Sequence, residues 1–345
     1  MTMKKEIWGF YPPPIGGISI YCKRLVEKMH AKDNDVVMRD FAQSGYETQC
    51  VISVKNRLWE FLKLPFVGKK IIHAQFTNFY LLFLLYIFGR KHHIVLTLHN
   101  RRIVLLDGWK RKVINRLFSC VKYIIFNDPT YTELLCEKYD INKKKIVLLP
   151  TYMAPEEGEM KGLTTEIEDF ISKHEYTISS NAHRVINNVF GDLYGIDQLI
   201  HLMNRLINEE RLDVGMVFCI SEIFDNDYFG KCLSRIDELG LSDYFCFIVN
   251  SPVNGFEVWS HTDLFIRATM SDMEGVSVKE ALQFGTPVVA SDVCTRPKEA
   301  VLYKTGDADD LFKKVYPLIL ERKRVVYNPE IRVDEEVLRL YLSLS

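Results

Sequence analysis

Residues 267–292, RATMSDMEGVSVKEALQFGTPVVASD, decide the fold. Ser277 and Glu280 fit the S-x-x-E capping box, which predicts a helix that opens at Ser277 and runs through Lys279, Glu280, Ala281 and Leu282. Gly285 supplies a left-handed stop, Pro287 blocks continuation, and the following VVAS reads as a buried strand. A loop that feeds a helix N-terminus between strands of an open α/β sheet is where anionic ligands are held, because amide hydrogens and the helix dipole converge there. Asp272 and Glu280 flank that mouth.

The pattern extends in both directions. Strand signals at 7–10, 51–53, 71–74, 94–98, 123–126 and 146–149 alternate with helical stretches, the first of them at 18–30. Residues 151–174 turn polar and acidic. The alternation then restarts with strands at 176–179, 215–220, 245–249 and 264–266 and helices at 196–208 and 228–239. Such alternation implies parallel sheets covered by helices on both faces. The reading is an α/β chain of two doubly wound Rossmann-like domains facing a cleft. Domain 1 spans 1–155, a linker 156–175 and domain 2 176–330. A helical tail spans 331–345.

Composition narrows the class. The formal net charge is −1, which argues against a general nucleic-acid binder, yet residues 1–150 carry 25 Lys/Arg against 12 Asp/Glu while the remainder is acidic. A basic first half suits an anionic surface or substrate; two differing solvated surfaces are the plainer alternative. Eight cysteines lie without paired spacing and the N-terminus lacks a signal-peptide core, which together point to a reducing cytoplasm. The run FYLLFLLYIF at 79–88 is about half of what a membrane span requires and reads as a buried helix. An interfacial role stays open beside it. So does lipid docking by Arg101, Arg102, Lys110, Arg111, Lys112 and Arg116 near Trp109 and Phe118.

The segment 267–292 resembles the nucleotide-sugar signature of family 4 glycosyltransferases, retaining enzymes of the GT-B fold: an acid, seven residues, then a Glu on a helix that ends in G-x-P-V-V. The resemblance implies that Asp272 contacts the transferred sugar, that Gly275, Val276 and Ser277 bind it through backbone amides, and that Glu280 holds the ribose hydroxyls. Glu274-Gly275 matches a second register by letters, but spacing favours Asp272. D-x-E-G-V-S-V-K-E-A-L also resembles a branch of the family in which an acidic pair precedes V-S-V-R-E-A-L. By itself the S-x-x-E pattern would be only a helix cap.

Other positions follow from the same resemblance, which also implies that the helical tail at 331–345 packs back on domain 1. Gly16 and Gly17, between the first strand and helix, correspond to a Gly-rich loop facing the donor; as a bare sequence they are a turn pair. His99 lies just beyond a strand, on the ligand side of an open sheet, where the family carries a His close to the sugar. His73 has a similar placement with weaker support. Arg184 takes the place of the Arg that neutralises the diphosphate, while Tyr194 stands where a Lys before Gly195 is expected; Arg296 is the candidate to compensate. Asp225-Asn226-Asp227 reads as a helix cap rather than a metal motif.

The implied activity is retaining transfer of a sugar from a UDP or GDP donor to a saccharide, carried on a polyprenyl diphosphate, in surface polysaccharide (O-antigen) synthesis. No cofactor or metal and no nucleic-acid partner is expected. The implied location is cytoplasmic, with an anionic membrane face as a further partner. Two alternatives stay open: a nucleotide-sugar epimerase on the same fold, and a non-catalytic partner subunit, for which the absent Lys speaks.

Overall fold

The computed structural model describes residues 3–13, 16–43, 45–127, 129–155, 157–188, 191–251, 253–272, 275–328 and 331–345. The chain divides into two compact units, residues 1–153 with 329–345, and residues 154–328.

The first unit is built on a seven-stranded sheet. Its strands are β1 (Lys5–Gly9), β2 (Val36–Asp40), β3 (Val51–Ser53), β4 (Ile71–Ala74), β5 (His93–Thr97), β6 (Tyr123–Phe126) and β7 (Ile146–Leu148). The order is β3-β2-β1-β4-β5-β6-β7, every pair parallel. The chain therefore builds outward from β1 to β3, returns beside β1 as β4, and proceeds the other way. This reversal leaves a crevice at the carboxyl ends of β1 and β4.

One face of the sheet is covered by the helix Gly17–Lys32, through Tyr21, Cys22, Leu25, Val26 and Met29. The helix Val333–Leu342 completes that face with Val333, Val337 and Tyr341, all buried. Each such side chain contributes roughly 1.5–3 kcal/mol by leaving water. The opposite face packs around Trp8, Phe61 and Phe118. There the helix Phe79–Phe88 buries Phe79, Leu82 and Leu85 but leaves Tyr80 and Ile87 exposed, so the apolar run is only half interior. Among the described residues no helix is long and apolar enough to cross a membrane.

Strand β2 is absent from the sequence reading. Its residues VVMRD end in two charges, yet Asp40 is fully buried. Its carboxylate accepts from Tyr11 N at 2.9 Å and Ala42 N at 2.8 Å, which offsets its desolvation.

The second unit holds β8 (Tyr176–Val185), a small hairpin of β9 (Asn187–Asn188) and β10 (Gly191–Asp192), and then β11 (Val214–Ile223), β12 (Phe245–Val249), β13 (Leu264–Arg267), β14 (Val288–Ser291) and β15 (Val301–Tyr303). Six of them form a parallel sheet in the order β12-β11-β8-β13-β14-β15, so the chain reverses between β8 and β13. Within 156–175, expected as a linker, the helix Thr165–Lys173 buries Ile167, and its Phe170 and Ile171 pack against a core around Val217 and Trp259.

Candidate functional site

In the second unit the helix Val276–Gln283 starts just beyond the carboxyl end of β13, at the reversal between β8 and β13. The capping box expected from Ser277 and Glu280 does not form. The N-cap is Gly275, held at φ +65°, and no side chain of the described residues caps the helix. Ser277 is buried inside the first turn because the chain enters the helix through a left-handed glycine two residues earlier. Glycine is required there twice over. A Cβ would stand 2.1 Å from Arg296 Nη1, and the backbone lies in a region that side chains disfavour. Gly285, at φ +79°, stops the helix as the sequence indicates. Glu280 is buried on its second turn. Glu274 lies outside the described residues.

Asp272 is the hub of this edge. Its Oδ2 accepts from Arg267 Nε and from Arg296 Nη1, both at 3.0 Å. Burial alone would raise its pKa, but the two guanidinium charges and their hydrogen bonds reverse this and hold it at about 2. It is thus a fixed anion and no proton donor near neutrality. Arg296 is fully enclosed and also donates to Ser291 O (3.3 Å) and Thr269 Oγ1 (3.4 Å). Arg267 donates to Asn181 Oδ1 at 2.8 Å. Two cations therefore share one carboxylate, and the trio carries a net positive charge at a helix N-terminus. Arg267 was not among the residues singled out from the sequence; the available signal was a cation ending an apolar strand at the sheet's edge.

Arg267 also bears on the position of the expected lysine. Its guanidinium lies 5.2 Å from the centroid of the Tyr194 ring, so an aromatic carries a cation over its face where the resemblance expects a cation itself. The neighbouring helix Ile196–Asn204 opens at Gly195, φ +69°. Asp192 already occupies its first amides, accepting from Ile196 N at 2.5 Å and Asp197 N at 3.3 Å.

Arg184 is placed differently from its expectation. It lies within β8, which runs past residue 179, and sits across from Glu222 of β11. The register pairs the two side chains at 2.7 Å, both roughly half exposed, which partly neutralises the cation. Asp225 is a cap, as its position suggests: it accepts from Tyr228 N at 3.0 Å.

In the first unit Gly9 and Gln75 lie at the carboxyl ends of β1 and β4, so close that a Cβ on Gly9 would meet Gln75 Cβ at 3.0 Å. His99 stands two residues beyond β5. Its Nε2 is 2.7 Å from Gln75 Oε1, and its ring packs edge-on to Tyr21 at 5.1 Å. Neither Gly16 nor Gly17 has the positive φ that would require a glycine. Gly16 is extended (φ −166°) and caps the helix that Gly17 begins; a Cβ on Gly17 would meet nothing within 4 Å. His73 is no ligand-facing residue: it lies inside β4, fully buried.

These features define a GT-B protein, with two parallel α/β sheets each reversing at its carboxyl edge. Residues 186–323 match the model of the family described as glycosyl transferases group 1, so the second unit carries that domain. Among solved structures, the chain resembles HepE of Anabaena in complex with UDP and glucose (13% identity, 93% of this chain and 91% of that one, TM-score 0.67). It also resembles sucrose-phosphate synthase of Thermosynechococcus elongatus (16%, 99% and 99%, 0.68). A third is WaaG, a glycosyltransferase involved in lipopolysaccharide biosynthesis (12%, 91% and 90%, 0.60). At these identities the likeness is one of fold. No curated protein matches the chain.

Proposed function

We propose that the chain is a retaining glycosyltransferase that moves a sugar from UDP or GDP to a saccharide carried on a polyprenyl diphosphate. The observation that carries this reading is the pair of guanidinium groups, Arg267 and Arg296, beside the N-terminus of the helix Val276–Gln283 in the group 1 domain. As a glycosidic bond breaks, negative charge builds on the leaving diphosphate, and prearranged cations and amides stabilise it without reorganising. In this reading the charge comes from arginines rather than a metal, and Arg267 over Tyr194 supplies what a lysine would. Gly275, Val276 and Ser277 present amides to the donor. Glu280 accepts from the ribose hydroxyls. Asp272 aligns the two arginines and meets the sugar, and Arg184 lies at the edge of the phosphate site. In the first unit His99 takes the role of a site residue, with Gly16 and Gly17 at the start of its first helix.

Calorimetry with bare UDP and GDP tests the assignment. Glu280→Ala is expected to weaken nucleotide binding by roughly 1.5–3 kcal/mol, the value of a charged hydrogen-bond acceptor. Glu274→Ala should cost less. Equal losses would show that the register is wrong, and no binding of either nucleotide at millimolar concentration would sink the donor reading.

The lipid-linked acceptor is supported by a surface of the first unit. Tyr80, Leu105 and Trp109 are exposed there. Lys110 Nζ lies 5.4 Å from the Phe79 ring and 5.9 Å from that of Tyr80, and Arg101, Arg102 and Lys112 are exposed nearby in sequence. Aromatic rings with cations suit the headgroup region of a cytoplasmic leaflet. Arg111 is engaged elsewhere, donating to Lys138 O at 2.8 Å. Vesicles with anionic headgroups should sediment the protein at low salt and release it as ionic strength rises. Neutralising Arg101, Arg102, Lys110 and Lys112 together should abolish sedimentation; binding that ignores both salt and these substitutions would remove the electrostatic account.

A further inference from the structure

A continuous polar chain runs through the interior of the first unit. Tyr341 Oη, on the helix Val333–Leu342, lies 2.7 Å from His73 Nδ1. His73 Nε2 lies 3.0 Å from Gln75 Nε2 and 2.6 Å from Thr97 Oγ1, and Gln75 Oε1 lies 2.7 Å from His99 Nε2. Tyr341, His73 and Gln75 are each fully buried, where an unmatched donor or acceptor is costly.

With the Gln75 amide nitrogen turned to His73, donation along the chain runs one way. An amide nitrogen only donates, so His73 Nε2 offers its lone pair, which Gln75 and the Thr97 hydroxyl share. The proton of a neutral His73 then sits on Nδ1 and is donated to Tyr341 Oη. His73 is neutral in the working range, since burial, and next the nearby His99, lower its pKa to about 3. With its nitrogen turned to His73, Gln75 presents its oxygen to His99, which can meet it only by carrying a proton on Nε2. In a neutral His99 the acceptor nitrogen is then Nδ1.

We propose that Gln75 is a positioning residue that fixes the ring of His99 and its proton on Nε2, and that its own orientation is set through His73 by Tyr341 of the C-terminal helix. The inference rests on the reading of His99 as a site residue. A histidine beside a reacting sugar must offer the right nitrogen, and a free imidazole near neutrality exchanges between tautomers.

The test is nitrogen-15 NMR of the full chain labelled at histidine, with the His99 signals identified by their loss in His99→Asn. The native protein should show one His99 tautomer, protonated at Nε2. Gln75→Leu should give mixed tautomers. Tyr341→Phe, a smaller change that removes only an oxygen, should free His73 to move its proton to Nε2; the Gln75 amide then turns, and the His99 proton moves toward Nδ1. A His99 that keeps its proton on Nε2 in both variants overturns the proposal.

Hydrolysis of UDP-glucose supplies the second readout. Gln75→Leu should lower kcat by roughly 10–100-fold, the scale of a misplaced reacting group, with UDP binding unchanged. Altered tautomers with native kcat, where His99→Asn is impaired, would overturn the positioning role. Native kcat in His99→Asn itself would instead sink the site reading, and the NMR result would still decide whether Gln75 orients the ring.

Discussion

Arg296→Ala is expected to cripple turnover and to cost the second unit about 3–5 kcal/mol, the usual penalty for removing one partner of a buried ion pair. Arg296 is fully enclosed and binds Asp272, Ser291 O and Thr269 Oγ1. Its loss opens a cavity and leaves Asp272 with Arg267 as its remaining arginine partner. Turnover should fall by about 10²–10³-fold, the value of one transition-state donor, while ground-state binding of the donor falls less, because the charge to be stabilised develops only as the bond breaks. Single-turnover measurements on Arg267→Ala, Arg296→Ala and the double variant separate the cases. A double variant no worse than either single marks one shared phosphate site. Native turnover in Arg296→Ala would show that the phosphates lie elsewhere. Asp272→Asn probes the same hub by pH. The carboxylate's folded pKa of about 2 lies below its ordinary 3.8. Its contribution is therefore fully present above about pH 4 and is lost as pH falls toward 2. The Asn variant should lack that part of the acid transition in urea unfolding curves taken across this range.

The second large effect is expected at two glycines. In Gly195→Ala the new Cβ would lie 2.3 Å from Ala268 O, a backbone atom that cannot swing aside. In Gly275→Ala it would lie 2.1 Å from Arg296 Nη1, the end of a side chain that can, at the price of its bond to Asp272. Both positions also have positive φ, which adds about 1 kcal/mol for a residue with a Cβ. Gly195→Ala should thus lower stability by more than 3 kcal/mol, in the range of severe single substitutions. Gly275→Ala should fold better and lose nucleotide affinity more. Melting temperature against UDP affinity for both variants checks the contrast; the reverse ranking would mean that the loop at Gly275 is packing rather than site.

The strands of both sheets with clear apolar runs, the stop at Gly285 and the position of His99 were legible because they depend on local patterning. The cap at residue 275 was not. The letters S-x-x-E are satisfied whether or not a left-handed glycine starts the helix earlier, and that glycine is demanded by its positive φ and by the packing of Arg296 against it, neither of which the letters show. The Arg267–Asp272–Arg296 trio joins the ends of two strands across intervening helix and strand, so it exists only once β13 and β14 lie side by side. The strand that carries Arg184 was read too short because β8 continues through the more polar stretch SNAHRV, paired with β11 along its length. His73, Gln75 and His99 fall at intervals that suggest nothing until β4 and β5 are adjacent.

The first unit is discontinuous in sequence, and this sets an order of events during synthesis. Its core awaits Val333, Val337 and Tyr341, which follow the whole of the second unit. At about 5–20 residues per second, the stretch from Met153 to Tyr341 takes the ribosome roughly 10–40 s. Through that interval the nascent first unit carries an unfilled apolar seat and a His73 whose Nδ1 lacks its Tyr341 partner, while the second unit, continuous in sequence, is complete once residue 328 is made. The half that emerges first is the half that finishes last.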